Sequence, residues 1–134
     1  MKKWFVPFII IAICILSCSK VEPNKAKALV ELLIQKIDSG KYSETPNYYS
    51  EEFNNSESLD ARAEKYKELK DANGDVQSMQ CISEKASTDP DDRPTLELIY
   101  KVKHTKLTSL EAFTVVSQNG DLKVESHDIK QNTP

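Results

Sequence analysis

The sequence predicts an α+β fold, with N-terminal helices packed on a curved four-stranded antiparallel sheet, and three observations carry that prediction. Apolar residues recur at helical spacing as far as Asn73, the period changes to alternation beyond Gly74, and Asn119-Gly120 forms a hairpin signal between two apolar runs near the end. Helices gathered ahead of the strands, rather than interleaved with them, point to an antiparallel meander with the helices on one face.

From Lys25 the side chains of Ala26, Leu29, Val30, Leu33 and Ile37 form a helical stripe, widened by Leu32 and Ile34. Asp38-Ser39-Gly40 ends it, with Gly40 free to take the left-handed C-cap conformation. A second, shorter helix is expected after Thr45-Pro46, with threonine as its cap and proline in its first turn, carrying Tyr48, Tyr49 and Phe53. Ser58 reads as the cap of a third helix. Its Leu59, Arg62, Ala63, Tyr66, Leu69 and Lys70 recur at helical spacing, and Asn73-Gly74 stops it.

Asp75 to Ser87 then reads as a first strand, followed by a turn-rich stretch from Thr88 to Pro94. In Thr95 to Thr105 the alternation is strong: Leu96, Leu98, Tyr100 and Val102 share one face, Glu97, Lys101 and Lys103 the other, and Ile99 breaks the pattern. A third strand runs through Leu110, Ala112, Phe113, Val115 and Val116. Apolar residues on both its faces place it centrally or on a strong curve. Asn119-Gly120 is a type I′ turn signal ahead of the fourth strand, Leu122 to Ile129. Cys81 is expected as a small buried apolar side chain on the first strand.

Upstream of this domain, Lys2 and Lys3 lead into an uncharged run from Trp4 to Leu16, followed by Ser17 and Cys18. The run is too short for a spanning helix, which needs about 20 apolar residues, and has the layout of an export signal. Ile15-Leu16-Ser17-Cys18 resembles the lipobox of bacterial lipoproteins. That resemblance implies cleavage after Ser17 and a lipid on Cys18, with Ser19 favouring the outer membrane, facing the periplasm, where the source has two membranes. The expected organisation is a signal peptide over 1–17, a lipidated tether over 18–24 containing Pro23, and one domain over 25–134. Several acyl chains, at about 0.8 kcal/mol per buried methylene, would hold such a protein to a bilayer.

Losing the signal removes Lys2 and Lys3 but no acidic residue, so the formal charge moves from −3 to −5. An acidic domain without clustered Lys and Arg is a poor partner for nucleic acid or anionic headgroups, so none is expected. With Cys14 lost and Cys18 acylated, only Cys81 remains and no internal disulfide can form.

The order of elements is similar to that of the NTF2-like, or cystatin-like, superfamily. The residues that carry the resemblance are Ala28 to Leu33, the Asp38-Ser39-Gly40-Lys41-Tyr42 turn, Tyr49 and Phe53, and the closing hairpin of Phe113 to Val116 with Gly120 to Val124. The resemblance implies a cone with an apolar space between helices and sheet. The polar side chains expected nearest that space are Tyr48, Tyr49, Tyr100 and His104, with Asp38 and Asp128 as the nearest acids. A carboxylate raised in pKa among tyrosines would make a general base, which is the route to a pocket enzyme of isomerase or dehydratase type. The plainer reading leaves the tyrosines closing the core and His104 solvated at a strand end. His127, which alternates with Lys123 and Glu125, is expected on the exposed face.

Other chemistry finds no foothold. Two histidines and one remaining thiol do not make a structural zinc site, and Asp89, Asp91 and Asp92 lack the glycine of an EF-hand loop. Gly40, Gly74 and Gly120 are isolated, so no phosphate-cradling loop is present. No metal or cofactor is therefore expected. The functional expectation is a non-enzymatic, membrane-anchored envelope lipoprotein that binds a protein partner or a small ligand and dimerises through its sheet. The alternatives are the pocket enzyme, or an inhibitor or accessory subunit of an envelope enzyme presenting the Thr88 to Pro94 loop.

Overall fold

The computed structural model describes residues 20–132, so the expected signal peptide and the expected lipid attachment at Cys18 lie outside the described residues. Helix α1 (Pro23–Asp38) starts two residues earlier than the tether expectation allows. Pro23 sits in its first turn, where a missing N–H costs nothing, and the Glu22 carboxylate caps it by accepting from Asn24 N at 3.1 Å and Lys25 N at 2.8 Å. Its stripe buries Ala26, Val30, Leu33 and Ile34. At the other end Gly40, at φ +75°, and Lys41 donate back to Ile37 and Lys36, the paired bonds of a Schellman cap.

The second helix is where the sequence reading needs correction. Tyr42–Asn47 is a 3₁₀ turn with Thr45 and Pro46 inside it, and helix α2 (Glu51–Ser56) starts later, capped by Ser50 Oγ, which accepts from Phe53 N at 3.2 Å. Tyr48 and Tyr49 therefore lie between helices. The sheet edge captures them: Ser50 N donates to Val124 O at 2.9 Å and Val124 N to Tyr48 O at 2.8 Å, which draws Tyr49 into a parallel bridge. Helix α3 (Leu59–Asn73) is capped by Ser58 and ended by Gly74, as its sequence predicts, but its buried residues are Arg62, Tyr66 and Asn73.

The strands β1 (Val76–Thr88), β2 (Pro94–His104), β3 (Thr108–Gln118) and β4 (Asp121–Asn132) form an antiparallel meander in sequence order, so the α+β arrangement stands. Leu96, Leu98, Tyr100 and Val102 point inward to meet the α1 stripe, and β3 is interior to the sheet. Each such apolar side chain contributes roughly 1.5–3 kcal/mol by leaving water. Asn119 and Gly120, at φ +54° and +87°, close the β3–β4 hairpin as a type I′ turn requires. Cys81 is half-buried rather than buried, because it lies on the edge strand, which only α1 partly covers.

One irregularity reorganises the interior. Val115 pairs with Val124 and Thr114 with Ser126, leaving Glu125 without an opposite residue. That β-bulge reverses the alternation of β4, so Val124 and His127, three apart, both face the core. The His127 side chain is 1% exposed. The expected surface position is corrected on this ground: an unbroken two-residue period would have turned it outward with Lys123. The bulge residue is tied down by Arg93 Nη2, 2.6 Å from Glu125 Oε1, and Arg93 is itself held by Asp89. The Thr88 to Pro94 turn is thus braced against the bulge.

Candidate functional site

The inner face of β3 carries Ser109, Glu111, Phe113 and Val115, so two polar side chains enter an otherwise apolar layer. Glu111 is 6% exposed and has a polar neighbour at each oxygen: Oε1 lies 2.8 Å from His127 Nε2, and Ser109 Oγ lies 3.3 Å from Oε2. His127 Nδ1 in turn lies 2.9 Å from the Tyr49 hydroxyl, which is in close hydrogen-bond contact with the hydroxyl of Tyr66 on α3. At the far end His104 Nε2 meets Ser109 Oγ at 3.1 Å, and its Nδ1 meets the Gly74 carbonyl at 3.2 Å. A continuous polar chain therefore crosses the core from α3 to the start of β1.

Donor directions follow from chemistry. With Glu111 as the carboxylate, His127 Nε2–H donates to it, Nδ1 accepts from Tyr49, and Tyr49 accepts from Tyr66. Two neutral imidazoles, one serine and two tyrosines supply five hydrogens for the six contacts. The shortfall falls on Ser109, whose single proton faces both Glu111 and His104. Such a network is worth most when every member is satisfied, because an unpaired polar group in low dielectric is costly.

Burial, and then the neighbouring Tyr66, hold the Tyr49 hydroxyl well above the ordinary tyrosine range, while burial pushes Tyr66 up to about 12. Both remain hydrogen-bond donors at neutral pH. A raised tyrosine pKa stabilises the folded state fully below about pH 10, where the unfolded residue ionises, and that stability is lost as pH rises through about 12. Moving one group from about 10 to about 12 is worth about 3 kcal/mol. Denaturation midpoints at pH 9 and pH 12 are expected to differ more for the wild type than for Tyr66→Phe; parallel losses in the two proteins would refute the assignment.

Of the side chains expected at the pocket, Tyr49 and His104 belong to this chain of contacts, and His104 is corrected from a solvated end residue to a half-buried one with two partners. Tyr100 is separated from it by Phe113, whose ring it meets edge-on at 6.0 Å, and its hydroxyl donates to Glu31 under α1 at 2.8 Å. Tyr48 is half-buried at the periphery of the core. Asp38 pairs with Lys70 at 2.9 Å, and burial of Lys70, which opposes its charge, is outweighed by hydrogen bonds to Asp38 and Asp75. Asp128 is exposed on a groove rim. Sequence reasoning missed Ser109, Glu111, His127, Arg62 and Tyr66. The two-residue spacing of Ser109, Glu111, Phe113 and Val115 was the available signal for the first two.

Two spaces flank Tyr66. A cavity of about 40 Å³, lined by Ile34, Ile37, Leu69, Val76, His104 and Glu111 among others, has room only for a few waters. A groove of about 380 Å³ between α2–α3 and β4 reaches small-molecule size. Its walls are Phe53, Leu69 and Ile129, with Tyr66 and His127 at its floor and Glu57, Lys65 and Asp128 around it. Arg62 also lines it, although only 2% exposed. The guanidinium lies over the rings of Phe53 and Tyr49 at 4.7 and 5.0 Å, with Nη1 donating to Asn54 Oδ1 and Nη2 to Phe53 O. Among the described residues no group of three or more His, Cys, Asp or Glu side chains is placed to hold a metal ion. No protein-family model matches the chain, and no curated protein matches it.

Proposed function

We propose that this chain is a lipid-anchored envelope protein whose α+β domain is a non-catalytic binding module, receiving a small ligand in the groove between α2–α3 and β4. The observation that carries the reading is the groove floor. There His127 commits both ring nitrogens, one to the Tyr49 hydroxyl and one to Glu111 behind it, and Tyr49 and Tyr66 are held protonated. Side chains so committed present a preorganised recognition surface with no free base to exchange protons with a substrate. Anchoring through Cys18 rests on the lipobox resemblance, and among the described residues no helix is long and apolar enough to cross a membrane.

One experiment with two arms tests the proposal. Cys18→Ala is expected to leave membranes or persist as an unprocessed precursor, and unchanged mass and fractionation would count against the anchor. In the second arm, a fragment library of neutral, cationic and anionic compounds is titrated into isotope-labelled protein. Binders are expected to move the resonances of Tyr66, Leu69, His127 and Ile129, and a library that leaves all four unmoved would defeat the groove. The rival reading, a pocket enzyme, draws on the same Glu111–His127–Tyr49–Tyr66 run. It would be revealed by solvent deuterium washing into a bound fragment at carbon.

A further inference from the structure

We infer that the groove's ligand is a small organic monocarboxylate with an apolar body, its carboxylate seated between Arg62 Nε and Lys65 Nζ. The inference rests on the groove being the binding site, as proposed above. It starts from an unmet donor: among the described residues Arg62 Nε–H has no hydrogen-bond partner, although the side chain is 98% removed from solvent and lines the groove. Its terminal nitrogens are spent on Asn54, Phe53 and the Glu57 carbonyl. A buried guanidinium N–H without an acceptor is unusual in a folded protein, and an acceptor arriving in the groove would complete it.

The chain itself shows which kind of acceptor the place suits. Glu57 lies across the same two cations, with Oε2 at 2.9 Å from Lys65 Nζ and Oε1 at 3.8 Å from Arg62 Nε. The first is a good charge-assisted hydrogen bond; the second is too long to be one. Glu57 thus attracts Arg62 without satisfying it, and at 28% exposure its side chain has a path into solvent. An incoming carboxylate would reach the Nε–H and leave Glu57 free to turn outward. Asp128 on the same rim opposes a second negative charge, which limits the ligand to one. Beyond the cations the apolar Leu69 and Ile129 would receive the body of the acid.

The test uses the anchored full-length protein in nanodiscs, titrated calorimetrically with hexanoate, hexan-1-ol and hexylamine against empty nanodiscs. The three probes share one tail, so they isolate the head group. Hexanoate is expected to bind at least roughly tenfold more tightly than the alcohol, and the amine not at all. Arg62 is left unmutated because it packs on two aromatic rings. Lys65→Ala, a change at a side chain 59% exposed, should weaken hexanoate roughly tenfold and leave hexan-1-ol unchanged. Glu57→Gln should tighten hexanoate by removing its internal competitor. Equal affinity for acid and alcohol, or no gain in Glu57→Gln, would overturn the carboxylate assignment while leaving the groove as a binding site. No heat from any probe would overturn both.

Discussion

Gly74→Ala is expected to destabilise the domain by about 3–5 kcal/mol and to lower its melting temperature by about 15 °C, at roughly 4 °C per kcal/mol for a domain of this size. Two independent effects add. Gly74 holds φ +87° and ψ −172°, a region open essentially to glycine alone, and forcing a side chain into it costs about 1–3 kcal/mol. A Cβ there would also lie 1.9 Å from Thr105 Oγ1 and 3.2 Å from Lys106 N. The neighbours cannot simply withdraw. Thr105 N donates to Asp75 O and Lys106 N to Asn73 O, both at 2.9 Å, and the Gly74 carbonyl receives His104 at the end of the polar chain.

A double-mutant cycle separates the two effects. Thr105→Ala removes the hydroxyl that blocks the new methyl but leaves the backbone strain, so Gly74→Ala should cost about 1 kcal/mol less or better in that background. Equal cost in both backgrounds would show that the collision is relieved elsewhere. A drop of less than a few degrees in the single variant would refute the account altogether.

Phe113→Ala is the other large effect, expected at about 3–5 kcal/mol in the denaturation midpoint. Phe113 is 1% exposed, stacks on His127 with ring centroids 4.2 Å apart, and meets Tyr100 edge-on. Truncating it opens a void in the middle of the sheet and strips the apolar cover from the His127–Glu111 contact. Phe113→Leu keeps most of the volume and should cost less than about 1.5 kcal/mol. The two variants should also differ at His127: its carbon-bound ring protons, shifted by the stacked aromatic ring, are expected to move in both, but to broaden through water entry only in the alanine variant. Similar stability for Ala and Leu at this position would mean that the core collapses around the gap.

The frame of this fold was legible because its signals are local. The α1 stripe, the glycines at positions 40 and 74, the Asn119-Gly120 turn and the alternation of β2 each depend on residues a few positions apart. The site was less legible because its members depend on pairing between distant segments. Tyr49 faces inward because Val124 bonds the backbone on either side of it, and no pattern around Thr45-Pro46 encodes that edge. Glu111 was masked by Leu110 and Ala112, whose apolar character drew attention to the opposite face of β3. Arg62 stands in the sequence as one position of the third helix's stripe, and nothing local shows that its aliphatic stem and flat charged head come to lie over the stacked rings of Tyr49 and Phe53.

The unpaired residue at position 125 acts as a parity bit for the rest of the last strand. Beyond it the inner face reads His127, Ile129 and Gln131, which reaches Asn73 at 2.8 Å; pairing the same residues without the bulge would hand that face to Ser126, Asp128 and Lys130 instead. The hairpin and the sheet order would be untouched, yet a cation and an acid would replace imidazole beneath the helices. A one-residue slip in pairing is what decides between the two faces, whereas loss of Glu125 itself would leave the imidazole in place, because the shortened strand then alternates regularly from Val124 through Ser126 to His127.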